Sequence, residues 1–280
     1  MINPGRLPDF FIIGAMKSAT STLHKQLSIQ PGIFMSTPKE PNFFSDDPVY
    51  KRGLEWYRGL FSGAAEDDIC GESSTHYTKL PDYPCTIPRL KDAVTNPRLI
   101  YVMRNPVDRL ISHYMHLWSE GIITCDINKA IDSYPELISY SCYGMQVEAY
   151  VTAFGKESIM LVSFEELKRS PQKALEDIGK FIGHNNVKAL SWDHNLEPNN
   201  VSKKRVRKFF GFQLFINSSF MTFLRRRFVP KSLRTIVYRR LTMPKRPSIG
   251  SQHTFRLNAI FDNDLRYIRS NFNTEFSCHD

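Results

Sequence analysis

The sequence predicts a three-layer α/β fold in which a central parallel sheet is flanked by helices. Three short apolar runs have the length and composition of buried parallel strands, namely residues 10–13, 99–103 and 159–164. Each run is followed by a segment with apolar residues at helical spacing, beginning near Thr20, Pro106 and Pro171. Alternation of strand and helix is typical of a parallel sheet that is covered on both faces.

The chain is long enough to bury one substantial core, so we expect a single domain over residues 1–280, with a basic, Phe-rich insertion or lid at about residues 198–250. Of the 37 Lys and Arg residues, 15 lie within residues 198–261, which contain no Asp or Glu. The rest of the chain has 22 basic residues against 28 acidic ones. This pattern predicts an anionic partner at the basic segment and argues against a globally basic nucleic-acid-binding protein.

Other features narrow the class of protein. No apolar run approaches the roughly 20 residues that span a membrane, and the N-terminus lacks the charged and then apolar pattern of a signal peptide. Five scattered cysteines without a Cys-x-x-Cys pair suggest neither a disulfide framework nor a zinc cluster. His113 and His116 are one helical turn apart, but no third metal ligand accompanies them. We therefore expect a cytoplasmic protein with reduced thiols.

A loop of small residues joins the first predicted strand to the first predicted helix. Gly14 ends the strand, Lys17 is the basic side chain of the loop, and Thr20 or Ser21 is expected to cap the helix. Free backbone N–H groups, the positive end of the helix dipole and an ammonium group would share one space, which suits a phosphate or sulfate oxyanion. A Walker A loop needs a Gly-Lys pair that is missing here, so an ordinary ATPase is disfavoured.

A second candidate anion site follows the second predicted strand. Arg104 lies at the strand end, Asn105 and Pro106 are suited to start a helix, and Ser112 comes two turns into that helix. Arginine can bind a phosphate bidentately, and serine can donate a further hydrogen bond. The alternative is an ion pair between Arg104 and Asp108 together with a buried hydroxyl.

Two charged positions could contact an acceptor. Glu72 follows a short apolar stretch at the expected open end of a strand, where it could take a proton from a hydroxyl or amine. Its alternative role is to cap the turn at residues 73–75. Lys39 lies in a proline-rich extended loop and could face a substrate, or it could be a solvated lysine beside packed Phe43 and Phe44.

The late basic segment allows three functions. Residues 209–224 are uncharged and rich in phenylalanine, and basic runs flank them. They are too few to span a bilayer but enough for a helix that lies on a surface. The segment could be a lid over an anionic cofactor and acceptor, an interfacial membrane contact through residues 205–240, or a docking face for an anionic polymer.

Together these motifs resemble those of the sulfotransferases that use 3'-phosphoadenosine 5'-phosphosulfate (PAPS), especially the branch of heparan sulfate sulfotransferases and their bacterial relatives. The segment GAMKSATS resembles the 5'-phosphosulfate loop, and RNPVDRLISHY resembles the 3'-phosphate motif Arg-Asp/Asn-Pro-x-x-Arg-x-x-Ser. The segments KEPNFFSDD and LEWYRGLF resemble the stretch between these motifs. The segment GESSTHY resembles the element that carries the family's catalytic glutamate. The resemblance covers most of the chain.

The resemblance implies a P-loop-like fold, PAPS as cofactor without a metal, and a set of site residues. The cofactor-binding residues that it implies are Lys17, Ser18, Ala19, Thr20, Ser21, Thr22, Arg104 and Ser112, with Ser202, Lys203 and Lys204 as a late basic loop. For the acceptor it implies Lys39, Glu40, Phe43, His76 and His116. Glu72 would be the general base, and Lys17 would neutralise charge on the departing 5'-phosphate.

Two residues depart from the family pattern. Ala19 stands where the loop usually has glycine, and its Cβ limits the approach of the backbone to a phosphate. Thr75 replaces the usual proline of the glutamate element. The membrane anchor and the disulfide of the luminal relatives are not visible in this sequence, which favours a bacterial-type enzyme.

The resulting hypothesis is in-line transfer of a sulfuryl group from PAPS to a hydroxyl or amine of a carbohydrate, a small natural product or a lipid. One alternative is a nucleotide-dependent kinase. The other is a non-catalytic protein that binds anionic polymers or membranes through residues 198–261.

Overall fold

The chain folds around a parallel sheet. A computed structural model describes residues 5–196, 242–243, 245–272, 274 and 276. Within these residues the strands are β1 Phe10–Gly14, β2 Ile33–Met35, β3 Ile69–Ser73, β4 Arg98–Met103 and β5 Ile159–Ser163. They form one five-stranded sheet in the order β2–β3–β1–β4–β5. Every pairing between neighbours is parallel, which confirms the predicted sheet.

Helices connect the strands and cover both faces of the sheet. Their bounds are α1 Thr20–Ser28, α2 Asp47–Tyr50, α3 Leu54–Gly59, α4 Thr86–Ala93, α5 Pro106–Ser119, α6 Ile127–Ser133, α7 Glu136–Ser139, α8 Tyr143–Phe154, α9 Phe164–Arg169, α10 Pro171–Ile182 and α11 Ser251–Phe272. Short 3-10 helices occupy Thr75–Thr78, Lys156–Ser158 and Val187–Ala189. The predicted three-layer α/β architecture is thereby confirmed.

β1 lies at the centre of the sheet because its side chains are apolar on both faces. All of its residues are buried. Phe10 and Ile12 pack into the layer that contains α1 and α10, whereas Phe11 and Ile13 pack into the opposite layer. A strand with apolar side chains on both faces is stable only between two covering layers.

The two covering layers differ in composition. The α1 and α10 layer is mainly aliphatic and contains Leu23, Leu27, Leu175, Ile178 and Ile182. The opposite layer is larger and rich in aromatic side chains, including Phe44, Tyr57, Phe61, Tyr77, Tyr101, Tyr143 and Tyr150. We call the second one the aromatic layer, and α8 and α11 form part of it.

The last helix, α11, packs on the rest of the fold and holds the start of α8. The Asp264 carboxylate accepts hydrogen bonds from the backbone N–H groups of Gly144, at 2.7 Å, and Met145, at 2.9 Å. A Cβ at position 144 would collide with the backbone carbonyl of Asp264. Glycine therefore permits the close approach of the two helices.

The structure differs from the predicted elements at two places outside the site. β2 was not expected, because its three residues lie in a proline-rich stretch that is typical of a loop. Apolar residues at helical spacing over residues 139–154 predict one helix, but the structure divides it, since α7 ends at Ser139 and α8 begins at Tyr143. Cys142, with ψ 82°, lies outside the helical region and separates them.

In the part of the chain that the structure describes, no helix is both long and apolar enough to cross a membrane. The expected insertion or lid at about residues 198–250 lies outside the described residues, except for residues 242–243 and 245–250. That residues 1–280 form a single domain stays a prediction.

Candidate active site

The loop between β1 and α1 carries the first candidate anion site. Lys17, with φ 72°, and Ala19, with φ 64°, both adopt the left-handed backbone conformation. Ala19 takes the capping position, so the expected cap by Thr20 or Ser21 is wrong. Both residues, together with Thr22, form the first turn of α1 instead. Because Ala19 has no polar side chain, the first turn receives no capping hydrogen bond from that position, and its amides suit an external oxyanion.

Basic side chains converge beside this loop. Burial lowers the pKa of His113 far below its usual value, and the nearby charges of Arg109, Lys79 and Lys17 lower it further. His113 is therefore neutral at physiological pH and stacks on the ring of Tyr140, at 5.6 Å between ring centres.

Within the described residues, no three His, Cys, Asp or Glu side chains are grouped as metal ligands.

Arg104 follows β4 and forms the second candidate anion site. As predicted, Asn105 caps α5, and its side chain accepts a hydrogen bond from the backbone N–H of Asp108 at 3.0 Å. The Arg104 guanidinium donates to the Asp108 carboxylate at 3.2 Å, which is the ion pair that the sequence left as an alternative. Arg104 Nε has no hydrogen-bond partner within the described residues. Ser112 is half-buried two turns along α5.

Arg246 is a site residue that sequence reasoning missed. Its guanidinium donates to the Asp108 carboxylate, so that two arginines share one carboxylate after β4. The available signal was an Arg-Pro pair shortly before α11. Ser202, Lys203 and Lys204, which were expected to form a late basic loop over the cofactor, lie outside the described residues.

Tyr143 lies against the second candidate anion site. Its buried hydroxyl accepts a hydrogen bond from the backbone N–H of Arg104 at 3.4 Å. Burial raises the pKa of Tyr143 to about 12, and the charge of Arg109 and the hydroxyl of Ser18 act in the opposite direction. The first residue of α8 thus lies against the end of β4.

Glu72 is the last residue but one of β3, near the end of the strand as expected, but its side chain is buried. It pairs in register with Phe11, and its fully buried side chain faces the aromatic layer. Tyr57 and Tyr77 donate hydrogen bonds to Glu72 Oε2, the latter at 3.0 Å. Burial raises the pKa of Glu72 to about 7. This carboxylate is held within the core and has no surface exposed to an acceptor.

Glu40 is a more accessible carboxylate. Its side chain is 36% exposed and accepts hydrogen bonds from Lys39 Nζ at 2.5 Å and from the Thr75 hydroxyl at 3.3 Å. Burial by itself would raise the pKa of Glu40, but the charge and hydrogen bond of Lys39, with the Thr75 hydroxyl, bring it below its usual value. Glu40 is therefore ionised at neutral pH.

The remaining residues that were expected to contact an acceptor differ in exposure. His76 is partly exposed, and its Nδ1 lies 2.9 Å from the Asp46 carboxylate. His116 is half-buried on α5. Phe43 is 1% exposed and stacks on Tyr57 at 4.4 Å between ring centres. Its expected contact with an acceptor is therefore corrected to a packing role in the aromatic layer.

Comparison with known proteins identifies relatives of this chain. Bifunctional heparan sulfate N-deacetylase/N-sulfotransferase 2 from Homo sapiens is 27% identical over 201 residues, which are 64% of this chain and 22% of the relative. Heparan sulfate glucosamine 3-O-sulfotransferase 3A1 from Mus musculus is 29% identical over 187 residues, which are 64% of this chain and 46% of the relative. The chain thus spans less than half the length of either relative.

A solved structure shares the fold. A sulfotransferase from Alicyclobacillus acidocaldarius superposes with a TM-score of 0.67 at 24% identity and covers 97% of this chain and 98% of that chain. A family model described as the sulfotransferase domain matches residues 7–227, which include the loop after β1 and the end of β4. Because this match extends over more than half of the sequence, the chain belongs to the sulfotransferase domain family.

Proposed function

We propose that this chain is a PAPS-dependent sulfotransferase that transfers a sulfuryl group to a hydroxyl or amine. The observation that carries the proposal is the position of two cationic sites at the ends of neighbouring strands, β1 and β4. Lys17 lies on the loop after β1, and Arg104 and Arg246 lie around Asp108 after β4. A ligand with a phosphate at each end of a nucleoside fits this arrangement.

The residues present fit this cofactor. Arg104 Nε is a donor without a partner among the described residues, and the first turn of α1 has no capping side chain at Ala19. When bound, the donor supplies an activated sulfuryl group whose transfer leaves negative charge on the 5'-phosphate. Lys17 and the α1 amides would stabilise that charge, and Arg104, Arg246 and Ser112 would bind the 3'-phosphate.

For the proton of the acceptor, we propose Glu40 as general base in place of Glu72. A general base must be ionised and within hydrogen-bond reach of the acceptor. Glu40 is partly exposed and held ionised by Lys39 and Thr75, whereas Glu72 is buried and bonded to two tyrosine hydroxyls.

We also propose a carbohydrate hydroxyl or amine as the acceptor. The two relatives are named for N-sulfation of heparan sulfate and for 3-O-sulfation of its glucosamine. Lys39 and His76 are partly exposed beside Glu40 and would contact the acceptor. A cytoplasmic location and a peripheral membrane contact through residues 205–240 stay predictions from the sequence.

Calorimetry with adenosine 3',5'-bisphosphate (PAP) tests the cofactor class. We expect PAP to bind about 100-fold more tightly than ATP, because ATP offers no 3'-phosphate to Arg104 and Arg246. Preference for ATP would favour a nucleotide-dependent kinase. Absence of binding to either nucleotide, with salt-sensitive binding to an anionic polysaccharide, would favour the polymer-binding alternative.

Turnover with radiolabelled PAPS over a panel of saccharide acceptors tests the general base. Glu40→Gln is expected to lower kcat by about 100-fold or more, because it removes the proton acceptor, while PAP affinity is unchanged. Glu72→Gln is the matched control and is expected to keep turnover within about tenfold of wild type. The reverse pattern would return the role of base to Glu72.

A further inference from the structure

The segment at the end of β3 fixes the turn that carries Glu40. The backbone N–H of Glu40 donates a hydrogen bond to the carbonyl of Ser73 at 2.9 Å. Two residues later, the backbone N–H of Asn42 donates to the hydroxyl of Ser74 at 3.0 Å. Both serines are buried, and Ser73 pairs in register with Ile12 of β1. The turn is therefore attached to the central part of the sheet at two points.

This attachment holds Glu40 in an unusual backbone conformation. Glu40, with φ 58°, and Asn42, with φ 53°, both adopt the left-handed region. Asparagine tolerates this region, whereas glutamate rarely occupies it. A residue stays in such a conformation only where the surrounding structure enforces it, and residues of this kind cluster at active sites. The enforced position belongs here to the residue that we propose as general base.

Two side chains hold the Glu40 carboxylate by the same oxygen. Lys39 Nζ donates to Oε1 at 2.5 Å, and the Thr75 hydroxyl donates to Oε1 at 3.3 Å. Neither bond uses Oε2, and the Glu40 side chain is 36% exposed. Thr75 is buried and begins a 3-10 helix directly after the attachment points, so its hydroxyl is presented from a fixed backbone.

We propose that Thr75 is a positioning residue for the general base and that Glu40 Oε2 is the oxygen that takes the proton of the acceptor. Lys39 and Thr75 oppose rotation of the carboxylate by holding Oε1, which leaves Oε2 for the acceptor. As the acceptor oxygen or nitrogen bonds to sulfur, its proton moves to Oε2, and the electron pair of the broken sulfur–oxygen bond stays on the 5'-phosphate. This inference rests on the proposed function, since it needs PAPS as donor and Glu40 as base.

The Thr75 hydroxyl is a feature of this chain. The sulfotransferases that the chain resembles usually have proline at this position, and proline has no side-chain donor for a carboxylate. Thr75 lies on neither of the two cationic sites proposed for the cofactor, which follow β1 and β4. Loss of its hydroxyl should therefore affect the base and spare the binding of nucleotide.

Loss of the hydroxyl has a predictable effect on the titration of Glu40. Burial raises the pKa of Glu40, and the charge of Lys39 and the hydrogen bonds of Lys39 and Thr75 lower it. A hydrogen bond to a carboxylate favours its charged form, so removal of the Thr75 hydroxyl should raise the pKa of Glu40. The other titratable groups whose charges interact with Glu40 are His24 on α1, Glu72 on β3, and His76 and Lys79 after β3. The substitution leaves all four in place.

The first measurement is the pKa of Glu40 in the ligand-free protein, by NMR titration of side-chain carboxylates, with Glu40→Gln to assign the resonance. Thr75→Val removes the hydroxyl at nearly constant size and is expected to raise this pKa. Thr75→Ser keeps a hydroxyl and should remain near wild type. Thr86→Val is the matched control, because Thr86 is fully buried and its hydroxyl has no hydrogen-bond partner among the described residues. It should leave the pKa of Glu40 unchanged.

The second measurement is turnover with radiolabelled PAPS over the panel of saccharide acceptors. Thr75→Val is expected to lower kcat by about tenfold, because the base is less well oriented, and to leave PAP affinity unchanged. The acidic limb of its kcat/KM profile should move to higher pH, in step with the pKa of Glu40. Thr75→Ser should recover most of kcat, and Thr86→Val should keep the wild-type kcat and pH profile.

A merely structural Thr75 would give a lower melting temperature for Thr75→Val with a wild-type pKa of Glu40 and a wild-type pH profile, and that result would overturn the inference. If Thr75→Val does not fold, Thr75→Ala takes its place, and a wild-type pKa of Glu40 and kcat in that variant would overturn the inference equally.

The proposed function and this inference fail in distinguishable ways. A wild-type chain that does not bind PAP would overturn both before any substitution is made. Full turnover in Glu40→Gln would remove the proposed base, and this inference with it, while PAPS stays the cofactor. Loss of turnover in Glu40→Gln together with wild-type behaviour of Thr75→Val would overturn this inference alone.

Discussion

Ala19 adopts a backbone conformation that residues other than glycine rarely occupy, with φ 64° and ψ 20°. In this left-handed region the Cβ atom approaches the following carbonyl oxygen, at a cost of about 1–2 kcal/mol. The sulfotransferases that this loop resembles usually have glycine at this position. The left-handed backbone gives the physical reason for that preference.

Ala19→Gly is therefore expected to stabilise the protein. Relief of the strain exceeds the extra entropy that glycine adds to the unfolded chain, for a net gain of about 0.5–1 kcal/mol in the free energy of unfolding. Ala174→Gly, in the interior of α10, is the matched control, and it should lower the free energy of unfolding by about 1 kcal/mol. Urea denaturation of both variants measures whether the free energy of unfolding rises or falls. A lower free energy of unfolding in Ala19→Gly would contradict the proposal that the backbone at Ala19 is strained.

Glu72 makes stability depend on pH. Its folded pKa of about 7 lies above the ordinary value of 4.5, so the folded state binds the proton more tightly than the unfolded state. Stability is therefore expected to fall as pH rises from about 4.5 to about 7, by at most about 3 kcal/mol from this group. Glu72→Gln removes the ionisation and should flatten this part of the profile.

Urea denaturation of wild type and Glu72→Gln between pH 4.5 and pH 8 checks this expectation. The free energy of unfolding of the variant should exceed that of wild type most at the alkaline end of the range, where the wild-type carboxylate is ionised in the core. Equal slopes for the two proteins would show that Glu72 does not titrate in this range.

At the scale of elements, α8 depends on α11 for its start. The Asp264 carboxylate occupies the place of a capping side chain, because it accepts the N–H groups of Gly144 and Met145. Asp264→Ala is expected to cost about 1–2 kcal/mol in the free energy of unfolding. Asp262→Ala on the same helix removes a partly exposed ion pair with Arg269 and should cost about 0.5 kcal/mol or less.

The cap also has a consequence for binding. Tyr143 is the first residue of α8, so loss of the cap loosens the residue that accepts a hydrogen bond from the Arg104 backbone. Asp264→Ala should therefore lower both the affinity for PAP and the free energy of unfolding. Asp262→Ala should have little effect on either quantity. Calorimetric titration of the two variants measures this difference.

The strands with continuous apolar runs could be predicted, because burial on both faces leaves a local signal at β1, β4 and β5. β2 left no such signal, since it has only three residues. The side to which Glu72 points could not be predicted either. It depends on the length of β3 and its register with Phe11, and neither is encoded in the few residues around position 72.

The same distinction applies to the candidate site. Lys17 and Arg104 could be named from the sequence because each lies in the segment that follows a strand, and the ends of parallel strands are where ligands bind. Arg246 meets Asp108 across 138 positions of the chain. Tyr143 reaches Arg104 across 39 positions. Contacts of this kind are products of the tertiary fold and have no local pattern.

At the scale of the whole molecule, the proposed cofactor site joins segments that are distant in sequence. A ligand that binds only the folded state stabilises it by about 2.7 kcal/mol when its concentration is 100 times Kd. PAP is therefore expected to raise the melting temperature in a concentration-dependent way. Scanning calorimetry with PAP, and with ATP at equal concentration as control, measures the effect, and equal shifts for the two nucleotides would contradict a specific 3'-phosphate site.

The attachment of α11 to α8 also bears on the order of events in time. The sheet needs only residues up to β5, whereas the cap on α8 comes from Asp264, 120 positions after Gly144. Contacts between residues far apart in sequence form slowly. A chain that is being synthesised or refolded should thus complete its sheet before Tyr143 is held in place. The capacity to bind nucleotide would then lag behind the appearance of secondary structure.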